Sequence, residues 1–87
     1  LDSWNSLHDA SERDENNNVN LQGDVLYFDS SNNMVASTSK KLVVVQGLDD
    51  YIIAESDNTL LICRKEHENR IKHFMTDVKF KYGDEYH

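Results

Sequence analysis

The residues best able to do chemistry are four histidines (His8, His67, His73 and His87), the lone Cys63, and a run of acids and asparagines that starts at Asp14. That run, DENNNVNLQGDV, carries Asp14, Asn16 and Asn18 at the first, third and fifth positions of a calcium loop, where oxygen ligands are needed. It fails where such a loop closes. Val19 replaces the turn glycine and Val25 the bidentate glutamate, so the segment is read as a polar turn. His67 and His73, six apart on an expected helix, project to opposite sides of the axis and cannot share a zinc ion. Cys63 ends an apolar run and is read as a small buried hydrophobe, because a nucleophilic Cys63/His67 pair would need an activating environment. Gly23, Gly47 and Gly83 form no phosphate-cradling loop, and Asp49 with Asp50 reads as a solvated turn rather than an acid/base pair. No catalytic, cofactor-binding or metal-ligating set is therefore expected in these residues.

Length and charge narrow the classes further. Eighty-seven residues make one small domain with little interior for a buried catalytic cleft. Nine Lys and Arg against sixteen Asp and Glu give a formal charge of -7, which repels phosphate backbones and anionic bilayers. Neither nucleic acid nor a membrane is an expected partner. A single cysteine excludes an intramolecular disulfide, residues 42–45 are far too short an apolar run to cross a bilayer, and the start has no signal-peptide pattern. A cytoplasmic location is expected. The chain begins at Leu1 rather than Met and is expected to be a fragment of something longer.

The elements that must position these side chains follow from the spacing of apolar residues. Residues 1–18 are read as a connecting helical turn and polar loop, with Leu1, Trp4, Leu7 and Ala10 on one stripe, Ser3 or Asp2 as cap, and Trp4 as a core anchor. Residues 19–64 are read as a β unit, with short runs at 25–28, 34–36, 42–46, 51–54 and 60–63 recurring at roughly nine-residue intervals between turn clusters. The last three runs are continuous rather than alternating, so each is expected to be covered on both faces. Residues 65–87 are read as an amphipathic helix over 66–82 and a tail, with Ile71, Phe74, Met75, Val78 and Tyr82 on one face and Gly83 at the C-cap. Glu66 and Glu68 fall at the start and Lys79 and Lys81 at the end, which suits the helix dipole. Residues 1–63 hold three basic and eleven acidic side chains and residues 64–81 six basic and three acidic, so the helix should be drawn to the β unit or an acidic neighbour. The expected class is mainly β with a C-terminal α-helix, in one small domain.

The order SW-NSLHDASERDENNNV, then Gly23-Asp24-Val25, then KLVVVQGLDDYIIAESDNTLLICRKEHENRIK, resembles the C-terminal part of the mannose-1-phosphate guanylyltransferases, or GDP-mannose pyrophosphorylases. The ending FMTDVKFKYGDEYH is similar to forms from the Bacteroides group. The resemblance implies an absent N-terminal nucleotidyltransferase domain that binds GTP and mannose 1-phosphate and uses Mg2+ to release pyrophosphate and GDP-mannose. It further implies that the metal-binding Asp precedes Leu1, and that Asp2 stands where the family has Gly, so Asp2 is not carried over as a ligand. For these residues it implies a short left-handed β-helix-like stack that supports the catalytic domain and helps form a homodimer. On that reading Ile71, Phe74, Met75 and Val78 are the candidate helix-packing or interface residues, and Val43, Val45, Tyr51 and Ile53 the candidate β-surface interface. The rival reading is a stand-alone small β module that binds a saccharide or a protein strand.

Overall fold

Runs of four to six β-forming residues, separated by Asn, Asp and Gly that tolerate left-handed backbone, can stack into coils instead of pairing as hairpins. The computed structural model, which describes residues 3–87, does this. Leu1 and Asp2, with the cap and family-departure roles considered for Asp2, lie outside the described residues. Helix α1 (Trp4–Ala10) is followed by β1 (Val19–Gln22), β2 (Val25–Phe28), β3 (Met34–Ala36), β4 (Val43–Gln46), β5 (Tyr51–Ser56) and β6 (Thr59–Arg64). A 3-10 segment (Lys65–Arg70) then leads into α2 (Ile71–Tyr82) and a short 3-10 turn (Gly83–Glu85).

Successive strands alternate between two sheets. One has the order β1-β3-β5-β6 and the other holds only β2 and β4. Val25 pairs with Val43 and Met34 with Ile52, both in parallel register, so the chain returns to the same wall after eighteen residues. The nine-residue spacing seen in the sequence is half of one coil. Only β6 breaks the pattern, doubling back antiparallel on β5 so that Ile52 meets Cys63 and Ala54 meets Leu61.

Stacked asparagines fix the register at one corner. Asn18 Oδ1 accepts from the Asn33 backbone N–H at 3.0 Å and from its Nδ2 at 3.2 Å, and Asn33 Oδ1 accepts from the Tyr51 N–H at 2.8 Å. Asn33 Nδ2 also donates to the Leu48 carbonyl at 2.8 Å, so one buried amide joins three successive coils. One residue earlier, Asn17 Nδ2 donates to Asn32 Oδ1 and Asn32 Nδ2 to Asp49 Oδ1, each at 2.8 Å. Asn17, Asn32 and Asp50 share a positive φ at this corner, which Asn and Asp adopt more readily than other side-chain-bearing residues. The Lys65 ammonium, almost fully buried, closes the corner 3.2 Å from Asp50.

Inside the stack Val35, Val45 and Ile53 form the core, with Val25, Tyr27, Val43 and Leu48 packed against it. Gly23 makes the tight β1–β2 turn with φ 91°, and a Cβ there would lie 3.1 Å from the Ser37 carbonyl oxygen. On the outer face of the four-stranded sheet, Trp4 of α1 and Ile71 and Met75 of α2 face Ala36, Ala54 and Leu61 across an apolar cavity of about 380 Å³.

Three expectations are corrected. The four-residue run at β1 was not among those expected, because Asn20 and Gln22 dilute its apolar pattern, yet backbone pairing to β3 makes it a strand. Of the three continuous runs only β5 is covered on both faces, through Ile52 and Ile53; β4 leaves Val44 exposed, and β6 leaves Leu60 and Ile62 exposed. The helix becomes α-helical only at Ile71, because Lys65 and Glu68 of the preceding segment are committed to Asp50 and to α1.

Replacing Asn33 with Ala leaves the Tyr51 N–H without its partner, at a cost of about 1–3 kcal/mol, and removes one of two donors to the Leu48 carbonyl, which keeps the Ser31 N–H at 3.1 Å. The expected loss of stability is about 2 kcal/mol in urea denaturation, against less than about 0.5 kcal/mol for Thr76→Ala on the exposed face of α2.

Candidate functional site

The chain enters the stack through α1, and one carboxylate holds that helix in place. Ser3 caps it by accepting from the Ser6 N–H at 3.0 Å. Glu68 reaches across from the 3-10 segment and accepts from the Trp4 N–H at 2.7 Å and from Asn5 Nδ2 at 2.6 Å. A carboxylate on the otherwise unpaired N–H groups of a first helical turn is favoured by hydrogen bonding and by the helix dipole. At the other end of α1 the buried His8 lies with Nε2 2.9 Å from the Asn17 carbonyl oxygen. A carbonyl only accepts, so Nε2 carries the proton. His8 thus ties α1 to the first rung of the asparagine corner.

At the opposite end the stack is open. The two-stranded sheet stops at β4, whereas the facing sheet continues through β5 and β6. The result is a groove of about 500 Å³ lined by Leu42, Val44, Val45, Ile53, Leu60 and Ile62, with Lys41 and Glu55 among its polar neighbours. Glu55 is already engaged, accepting from Ser37 Oγ at 2.8 Å and the Ser39 N–H at 3.1 Å. Leu42, Val44, Leu60 and Ile62 are each more than half exposed. On the outer face of the short sheet, Leu26 of β2 sits in register with Val44 of β4, and Phe28 follows two residues on; both β2 residues are half exposed.

The candidate β-surface residues sit elsewhere. Val45 and Ile53 are buried in the core and Val43 packs against it, so their side chains cannot form an outward contact surface. Strand alternation explains this: residues 43 and 45 point in, and 42 and 44 point out. Tyr51 is half-buried beneath the Arg64 guanidinium, 5.2 Å from its ring. Among the helix candidates, Ile71 and Met75 border the apolar cavity over the outer face. Phe74 lies under Arg70 at 5.2 Å, and Val78 borders a shallow cleft with Leu60, Tyr82 and Tyr86. All four are half-buried. Sequence reasoning places Glu68 only at the start of the C-terminal helix, without its bonds to α1, and does not single out Asn33 or Leu60. The asparagine pairs at 17–18 and 32–33 repeat at an interval of fifteen, a signal that a search for internal repeats would find.

The chemistry of the isolated groups is muted. Burial pushes the Cys63 thiol up, Arg70 pulls the other way, and Glu68 adds to the rise. Its sulfur lies 3.8 Å from the His67 carbonyl oxygen rather than the imidazole, so the two form no nucleophilic pair. Among the described residues no three His, Cys, Asp or Glu side chains converge to hold a metal ion. The set of oxygen ligands a Mg2+ ion would need does not converge among these residues.

Comparisons with known proteins follow the same outline. Residues 23–77 match the family described as MannoseP isomerase/GMP-like beta-helix domain. The chain is 38% identical over 76 residues to the alginate biosynthesis protein AlgA of Pseudomonas aeruginosa, covering 87% of this chain and 15% of that protein. It is 31% identical to mannose-1-phosphate guanylyltransferase 2 of Escherichia coli over 97% of this chain and 17% of that protein. It therefore spans only about a sixth of the length of these relatives. A solved structure from Thermus thermophilus, titled a mannose-1-phosphate geranyltransferase, superposes with a TM-score of 0.70 at 18% identity, over 88% of this chain and 23% of that one. That likeness establishes the fold.

Tyr27 offers a spectroscopic handle on the stack. Burial, with a smaller contribution from Asp14, pushes its phenol from 10.0 up to about 12, and its hydroxyl donates to Asn20 Oδ1 at 3.3 Å. The folded chain holds this proton more tightly than the unfolded chain, so the associated stability is intact below pH 10 and is lost as pH rises toward 12. Ultraviolet difference titration should show a tyrosine ionisation near pH 12, and that step should vanish in Tyr27→Phe.

Proposed function

The chain belongs to the MannoseP isomerase/GMP-like beta-helix domain family, and from that premise we propose that it is the non-catalytic, C-terminal supporting module of a mannose-1-phosphate guanylyltransferase. The enzyme's other domain binds GTP and mannose 1-phosphate, uses Mg2+, and yields GDP-mannose and pyrophosphate. The single observation that carries this reading is the match to the β-helix family over residues 23–77. The geometry supports a scaffolding role. The coils are tied at one corner by buried amides and at the entry helix by Glu68, an arrangement that resists relative movement of its parts.

The reading has two further parts. The half-exposed outer face at Leu26, Phe28 and Val44 is the surface through which the module packs in a homodimer, in place of the interior residues Val45 and Ile53. The enzyme works in the cytoplasm, a reading supported by the biosynthetic proteins that the chain resembles.

The test is to express the whole reading frame that contains these residues and supply GTP, mannose 1-phosphate and Mg2+. GDP-mannose and pyrophosphate should form in equal amounts. Phe28→Asp should halve the mass in sedimentation equilibrium, with the fold intact by circular dichroism. Absence of product, or an unchanged mass with full activity, would overturn the catalytic and dimer parts respectively.

A further inference from the structure

The two sheets differ in length, and the difference has a definite shape. Coils one and two each contribute a strand to both walls, but after β5 the chain turns back as β6 instead of crossing to the second wall. The short sheet therefore ends at β4 while the facing wall runs two strands further. The free edge of β4 is identifiable: Val43 and Gly47 donate their N–H groups to Asp24 and Phe28. By alternation the backbone groups of Leu42, Val44 and Gln46 face the vacant side. The wall opposite presents Leu60 and Ile62, 61% and 58% exposed, over the groove of about 500 Å³. An unpaired edge beside an uncovered apolar wall is a binding site for an extended strand.

The shape also selects the occupant. A second copy that continued the short sheet from β4 would bring its whole coil with it. The facing side of that coil would collide with β5 and β6, which already occupy those levels. Only a single extended segment, without a coil attached, fits the slot. The geometry points to a strand from the same polypeptide, outside these 87 residues, that pairs with β4 and packs alternate apolar side chains on Leu60 and Ile62. This rests on the reading that the chain is one module of a longer protein. Relatives in which it spans 15–17% of the length leave ample polypeptide to supply such a strand. Tethering holds that strand at a millimolar-order effective concentration, which raises its occupancy over that of a free peptide. Lys40 and Lys41, at the entrance to β4 in an otherwise acidic β unit, call for an acidic residue at one end of the incoming strand.

Hydrogen exchange on the full-length polypeptide, read at single-residue resolution, tests this without reference to activity. The Val44 and Gln46 amides are expected to be protected to within about tenfold of Val43 and Val45, which already bond to β2. Ile62→Lys, at a side chain exposed in the module itself, should accelerate exchange at Val44 and Gln46 by about tenfold or more and leave Val43 unchanged. Exchange of Val44 and Gln46 at the rate of free amides overturns the proposal. So does protection that is lost in the Phe28→Asp variant, which would mark a second copy, and so does a reading frame with no residues beyond these. A polypeptide that lacks guanylyltransferase activity but protects these two amides would refute the functional reading and leave the slot standing.

Discussion

The stack depends on one amide. Asn33 is fully buried, and its side chain bonds to the coil before it, to the coil after it, and to the Leu48 carbonyl on the intervening turn. Parallel coils have no hairpin to set their register, and a slip of one residue would turn Val35 and Ile53 outward. A buried side-chain amide removes that freedom because any other register leaves a donor and an acceptor unpaired in a medium that punishes both. Asn17, Asn32 and Asp49 repeat the link one residue toward solvent, and Lys65 ends it by neutralising Asp50.

From this corner the rest of the architecture follows. With the register held, nine-residue steps place alternate strands on alternate walls, and the inward residues of both walls meet as Val35, Val45 and Ile53. The 3-10 segment after β6 is kept from continuing as an α-helix because two of its side chains face different masters. Lys65 points back to the asparagine corner, and Glu68 out to the first turn of α1. The entry helix and the exit helix thus share one face of the four-stranded sheet, with Trp4, Ile71 and Met75 around a common apolar cavity.

The same topology accounts for the surfaces. A chain that ended its coils symmetrically would cover β4 with another strand, and reversal at β6 prevents that. Its apolar residues are then divided between an interior that stabilises the coils and an exterior that the module alone leaves in water. Exposed aliphatic groups in this number are costly for a small acidic domain unless something else covers them, which is consistent with a life as part of a larger assembly.

Much of this was legible in order but not in depth. The nine-residue rhythm, the turn clusters and the closing amphipathic helix all come from local spacing, and local spacing survives in the fold as strands β2 to β6 and α2. Motifs around Trp4, Gly23-Asp24-Val25 and LVVVQGLDDYIIAESD were enough to point to the family. Composition predicts a polar turn for the DENNN run because Asn and Asp favour turns, and half of it is one: Asp14 Oδ1 accepts the Asn16 and Asn18 N–H groups. That Asn18 is buried depends on a partner fifteen residues away, which composition does not reveal. Likewise the sequence alone determined that residues 42–46 and 60–63 are strands, since β-branched and aliphatic runs have that preference wherever they lie. Only the tertiary structure decided that Val45 and Ile53 face the core while Val44 faces outward from the short sheet and Ile62 faces an open groove. Inside and outside are fixed by the wall across the coil, and that wall is set by the reversal at β6.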